Sequence, residues 1–149
     1  MNASRVAASA LAALLFFAGE AIGCQCRAPS LSESIAHADV ILVAKVSDFE
    51  PLRHVTVQPI EVIKGPASKS LTIPTGLSDC DYFLPPISPK VGEEYLLFLG
   101  RSNGRLVASR CLLSGRIAEK AAELDLLRKR FKSNAQPRAA GDAPKAARP

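Results

Sequence analysis

The alternation of apolar and polar positions divides the chain into short strands framed by two helices. The segment "DVILVAKVSDF" (39–49) is rich in β-branched residues. It sets Val40, Leu42, Ala44 and Val46 on one side and Lys45 and Ser47 on the other, which predicts a first strand. "RHVTVQPIEVIKG" (53–65) predicts a second strand with a fault: Val55 and Val57 share one parity, Ile60 and Val62 the other, and Pro59 sits at the change. Proline cannot donate to a ladder, so a bulge or edge position there would return Ile60 and Val62 to the inward face. "KGPAS" then reads as a turn and "KSLTIPT" as a third short strand, followed by a proline-rich connection, "GLSDCDYFLPPISPKVG", that holds Cys80. "EEYLLFLG" and "GRLVASRCLL" flank "RSNG", whose Asn103-Gly104 pair signals a hairpin, and Cys111 closes the last strand.

Two segments carry the helical period instead. In "APSLSESIAHAD" (28–39), Ser30 and Glu33 have capping-box spacing and Leu31, Ile35 and Ala38 fall on one face. In "SGRIAEKAAELDLLRKRF" (114–131), Ile117, Ala121, Leu124, Leu127 and Phe131 form an apolar stripe suited to packing on a β-core. Glu119, Glu123 and Asp125 precede a basic cluster and complement the helix dipole at both ends. The expected fold is all-β with flanking helices: an OB-like, five-stranded Greek-key barrel plus a short N-terminal and a longer C-terminal helix.

Ahead of this domain, Arg5 and the run from Val6 to Gly19 lead to Ala21-Ile22-Gly23, with small residues at the two positions a signal peptidase reads. The run is too short to cross a bilayer core of about 30 Å as a helix. Residues 1–23 therefore read as a secretory signal peptide, and the mature chain is expected to begin at Cys24 in a secreted or periplasmic setting. About 126 residues remain, enough for one compact domain. Their organisation is read as an ordered domain over 24–132 and a disordered, basic, Ala/Pro-rich tail over 133–149.

The formal charge of +5 is spread between Arg128, Lys129, Arg130 and Lys132 at a helix end and Arg138, Lys145 and Arg148 in the tail. With no Trp and few aromatics the chain lacks stacking platforms, so nucleic acid is not expected as a partner. No catalytic constellation emerges either. His37 and His54 are the only histidines, and no serine stands in a nucleophile-elbow context. Glu93 and Glu94 are neighbours on a strand, where side chains face opposite ways. Phosphate loops, metal-ligand helices, C-x-x-C and other cofactor motifs are absent from the sequence. A binding module, not an enzyme, is the expectation.

The cysteines carry most of the remaining information. Cys24, Cys26, Cys80 and Cys111 all lie beyond the leader, and an even count in an exported domain implies a disulfide framework. Joining Cys24 to Cys26 would strain a tiny ring, so each is expected to take a distant partner. A lipid on the Cys24 thiol is the competing use of a small-residue-Cys junction, and it would leave an odd number of thiols. A zinc site held within the chain is another, but the spacing lacks the usual C-x₂₋₄-C pairs and the expected compartment is oxidising.

Cys24-Gln25-Cys26 at the processed start, "ADVILVAKV" after a short helix, "EVIKG", Ser78-Asp79-Cys80-Asp81-Tyr82, "GEEYLLFLG", Cys111 and a closing helix stand in one order. Over Cys24 to Phe131 this order resembles the netrin-like modules, and most closely the N-terminal domain of the tissue inhibitors of metalloproteinases. The resemblance implies the pairs Cys24–Cys80 and Cys26–Cys111, and a rigid inhibitory ridge formed by Cys24, Gln25, Cys26, Arg27, Ala28 and Pro29. It further implies that the amine and carbonyl of Cys24 chelate the catalytic zinc of a target protease while Gln25 enters the adjacent pocket. Gln25 is larger than the small hydroxyl residue of the animal inhibitors, Arg27 replaces an apolar residue, and Ala36 stands where their third disulfide begins. Two functions are thus expected: a secreted metalloendopeptidase inhibitor, or a non-inhibitory extracytoplasmic netrin-like module that binds a protein partner and touches a membrane only if Cys24 is lipidated.

Overall fold

A computed structural model describes residues 23–134. The expectations for the leader and for most of the basic tail lie outside the described residues.

Helix α1 (Leu31–His37) begins at an N-cap whose Ser30 hydroxyl accepts from the Glu33 amide while the Glu33 carboxylate accepts from the Ser30 amide, so the predicted capping box is closed. Strand β1 (Val40–Glu50) follows, then β2 (His54–Lys64), β3 (Leu71–Pro74), β4 (Glu94–Ser102) and β5 (Arg105–Ala108). All pair antiparallel in the order β3-β2-β1-β4-β5. The outer strands β3 and β5 approach each other, which curls the sheet into the expected OB-like barrel and leaves it nearly closed. A short β6 (Gly115–Arg116) pairs with the start of β4. Helix α2 (Ala121–Asn134) closes the described chain.

β1 and β4 are apolar at nearly every position because they bury both faces. Val40, Leu42, Ala44 and Val46 point into the barrel with Val55, Val57, Ile73, Tyr95, Leu97 and Leu99. The intervening Ile41 and Val43 pack with Leu96 and Phe98 beneath Ile35 of α1 and Leu124 and Leu127 of α2. Alternate residues therefore feed two cores from the same strands. Two ties fasten the helices to β2. Lys64 Nζ donates to the carbonyls of Ile35 (2.7 Å) and Ala38 (2.5 Å) at the end of α1, and Arg128 of α2 makes a forked contact with Glu61 (2.6 and 3.1 Å). At the β4–β5 turn, Asn103 and Gly104 take positive φ of 49° and 76°, as an Asn-Gly hairpin requires. Among the described residues no helix is long and apolar enough to cross a membrane.

Three expectations are corrected. The irregularity of β2 falls beside Pro59, where Pro59 pairs with Ala44 and Glu61 with Val43, leaving Ile60 as the extra residue. It does not return the apolar pair to the core: Ile60 and Val62 remain 55% and 46% exposed. β3 pairs β2 only over His54–Val57, so the far half of β2 runs beyond the strand that would have covered it. Cys111 lies past the end of β5 in a turn, not in a strand. The apolar stripe 117–131 is broken as well: Ile117 belongs to a single 3₁₀ turn (Ile117–Glu119), Ala121 is exposed at the start of α2, and the helix continues through Asn134 instead of ending at 132.

Candidate functional site: a doubly bridged N-terminal segment

The site is built by the loop between β3 and β4. Asp81, 5% exposed, turns its carboxylate back to accept from the amides of Leu77 (2.6 Å) and Ser78 (3.4 Å), which folds 77–81 into a tight turn. The next residues pair with the chain leaving β5. Asp81 bridges to Ser109, the Tyr82 amide donates to Ala108, and the Arg110 amide donates to Cys80 (2.8 Å). Below them Tyr82, Phe83 and Tyr95 meet edge to face, with ring centroids 5.0 to 6.3 Å apart. Burial pushes the Tyr82 hydroxyl up to about 12, so it stays protonated. The Arg110 guanidinium adds a brace by donating to the carbonyls of Leu84 and Pro85, both at 2.8 Å.

This pairing sets Cys80 and Cys111 close together, and the N-terminal segment docks on both. Cys24 joins Cys80 and Cys26 joins Cys111, with Cα separations of 4.9 and 5.2 Å. Beyond the bridges the segment runs into the α1 cap, where Arg27 reaches Glu33 at 3.0 Å. The Ser30 contacts and the Arg27 charge hold the Glu33 carboxyl below its ordinary range. Cys24, Cys26 and Pro29 are half-buried, whereas Gln25, Arg27 and Ala28 are exposed. No backbone hydrogen bond engages Cys24 or Gln25 among the described residues. Their backbone is held by the bridges at Cys24 and Cys26.

The structure pairs the four cysteines as the resemblance implies and so anchors the consecutive residues 24–29 at two points. It does not gather the two histidines. His37 ends α1, and His54 begins β2, where its ring lies 2.9 Å from Asp48 and 3.8 Å from Glu50. Glu93 and Glu94 also part: Glu93 accepts from the Lys90 amide and the Tyr95 hydroxyl, and Glu94 faces Lys45. Sequence reasoning missed Asp81 and Arg110. Ser78 and Asp81, three apart just after a glycine, carried the turn signal for the first; nothing local marked the second.

Two clefts border the site's supports. Leu77, Ser78 and Asp81 face Ser102, Asn103, Arg105 and Val107 across about 460 Å³. Along the seam between β3 and β5, Thr72 and Pro74 face Arg105 and Leu106 across about 450 Å³. Comparison with known proteins returned no family profile and no curated relative that matches the chain.

Proposed function

We propose that the chain is an extracytoplasmic inhibitor of zinc metalloendopeptidases that acts through a free N-terminal Cys24, as the resemblance to the tissue inhibitors of metalloproteinases implies. The observation that carries this reading is the attachment of an exposed segment to a rigid barrel by two bridges only one residue apart. An α-amine titrates near 8, so a useful fraction is neutral at neutral pH. Amine nitrogen and carbonyl oxygen of one residue close a five-membered ring on the target's zinc. A floppy terminus would lose much of that energy on ordering, and the bridges remove the cost in advance. Gln25, exposed next to Cys24, would enter the adjoining substrate pocket. With Cys24 sulfur engaged by Cys80, the amine reading is supported over a thioether-linked lipid at the same residue.

The experiment compares mature protein beginning at Cys24 with a form carrying one extra residue ahead of it, against a panel of zinc endopeptidases. Inhibition confined to the free terminus is the expected result. Equal potency of both forms, or none from either, would overturn the proposal. The second reading, a netrin-like module that binds a protein through its barrel, is favoured by the exposed Ile60 and Val62 on β2. It predicts partner binding that survives blocking of the terminus.

A further inference from the structure

The two bridges share one small volume. Each of the four sulfurs of Cys24, Cys26, Cys80 and Cys111 lies within 4.8 Å of every other, and all four residues are half-buried. The sulfurs of Cys24 and Cys26 belong to different bridges yet stand 3.1 Å apart, and those of Cys24 and Cys111 stand 3.9 Å apart. A tetrahedral zinc thiolate centre, with Zn–S near 2.3 Å, places its sulfurs about 3.8 Å from one another. These two unbonded pairs bracket that separation, and the other two lie within 4.8 Å. Opening the two S–S bonds and letting each pair relax by about 2 Å would complete the tetrahedron.

We propose that the reduced chain holds a structural zinc ion through Cys24, Cys26, Cys80 and Cys111. The same four residues thus serve as a thiolate metal site in the reduced state and as two disulfides in the oxidised one. The chemistry balances simply. A dithiol or phosphine reductant supplies two electrons per bridge, each bridge takes up two protons to give two thiols, and zinc binding releases four protons as four Zn–S bonds form. Such a centre carries two negative charges. Arg27 and Arg110, next in the chain to Cys26 and Cys111, bring positive charge to the two ligand-bearing segments. Backbone contacts align 80–82 with 108–110, so wherever the barrel is folded the ligands from those two segments are in register, and in a chain loosened by reduction zinc binding would draw them together. Closed, four-sulfur coordination suits a borderline-soft d¹⁰ ion and leaves no open position for catalysis.

The test uses the full mature chain, reduced with a phosphine without oxygen and titrated with Co²⁺ as a spectroscopic probe, then with Zn²⁺ against a chromophoric chelator. The expected result is one ion per chain, a tetrahedral four-thiolate cobalt spectrum displaced by zinc, and no uptake by the oxidised chain. Single Cys26→Ser and Cys111→Ser variants should each weaken zinc binding by more than about tenfold, since loss of outer-shell partners alone costs that much. If reduction melts the barrel, zinc should restore its β circular dichroism in the same one-to-one ratio. Absence of uptake, a spectrum with two or fewer thiolates, or an affinity no better than that of the chain in urea would overturn the site. A residue added before Cys24 should leave zinc uptake unchanged while removing protease inhibition, which separates this proposal from the inhibitory one.

Discussion

Removing one bridge should cost less than removing the second, and the structure sets the difference. In the chain-entropy account a cross-link stabilises by shortening the excursions of the unfolded chain. Alone, Cys26–Cys111 spans 85 residues, worth about 4.6 kcal/mol, and Cys24–Cys80 spans 56, worth about 4.2 kcal/mol. In the intact protein the two are not independent. With Cys24 already tied to Cys80, the route from Cys26 to Cys111 runs back two residues, across the bridge and on from Cys80, about 33 residues in all, and closing it is worth only about 3.7 kcal/mol. The Cys26→Ser/Cys111→Ser variant should therefore lose about 3.7 kcal/mol, and the four-serine chain about 4.2 kcal/mol more. The combined loss rivals the 5–15 kcal/mol that typical domains possess, so the four-serine chain should be largely unfolded at 37 °C. Equilibrium urea unfolding of the oxidised protein and the double variant reads this directly. At a slope of about 1.5 kcal/mol/M the midpoint should fall by about 2.5 M. Comparison must be made on extrapolated free energies, because losing a cross-link also exposes more surface on unfolding and steepens the slope. A loss below about 1 kcal/mol, or a second removal cheaper than the first, would refute the reasoning.

Asp81→Ala should destabilise by about 1–3 kcal/mol, because the Leu77 and Ser78 amides lose the charged, nearly buried carboxylate that accepts from both and closes the turn. An unchanged urea midpoint would show that this turn does not support the site. Ser30→Ala should cost about 1 kcal/mol by opening the capping box of a helix only seven residues long. Faster hydrogen exchange at the Ser34 amide, which donates to Ser30, is the local readout. Glu61 titrates below its ordinary 4.5, chiefly through the hydrogen bonds from Arg128. A carboxyl depressed by folding adds stability above its unfolded pKa and loses it as pH falls through the folded one. The difference between wild type and Glu61→Gln should thus be steady near neutral pH, shrink below about pH 4.5 and vanish in stronger acid. Both side chains of the pair are more than a third exposed, which keeps the difference under about 1 kcal/mol. A difference that grew toward acid would contradict this sign.

Where one physical effect dominated a segment, its sequence was enough to read it. β1, the Asn103-Gly104 hairpin and the α1 cap each depend on neighbours a few residues away, and each formed as the pattern predicts. Reading failed where tertiary neighbours decide. Ile60 and Val62 look like core residues in any strand, and only the short reach of β3 leaves them uncovered. Ile117 keeps the period of α2, yet β6 pairs Gly115 and Arg116 with β4 just before it and delays the helix to Ala121. No local count of apolar positions contains the pairing of β6.

The site shows the same division more sharply. That Cys24 and Cys26 take distant partners follows from ring strain, and the pairing is the one the resemblance implies. The lack of C-x₂₋₄-C spacing counts against zinc where one tight turn must present two ligands by itself, and an oxidising setting counts against the reduced state the ion needs. Here a different device performs the gathering. Asp81 tightens the turn at 77–81, the pairing of 80–82 with 108–110 carries Cys80 to Cys111, and the N-terminal segment lies against both in a non-strand conformation that lets two cysteines one residue apart point the same way. In a strand, Cys24 and Cys26 would share a face but stand nearly 7 Å apart at their Cα atoms, too far for sulfurs in contact without a bend. Convergence of the four sulfurs is therefore a property of the barrel's edge and not of the motif, and it survives or fails with the Asp81 turn and the Asp81–Ser109 bridge, which lie outside the four cysteines.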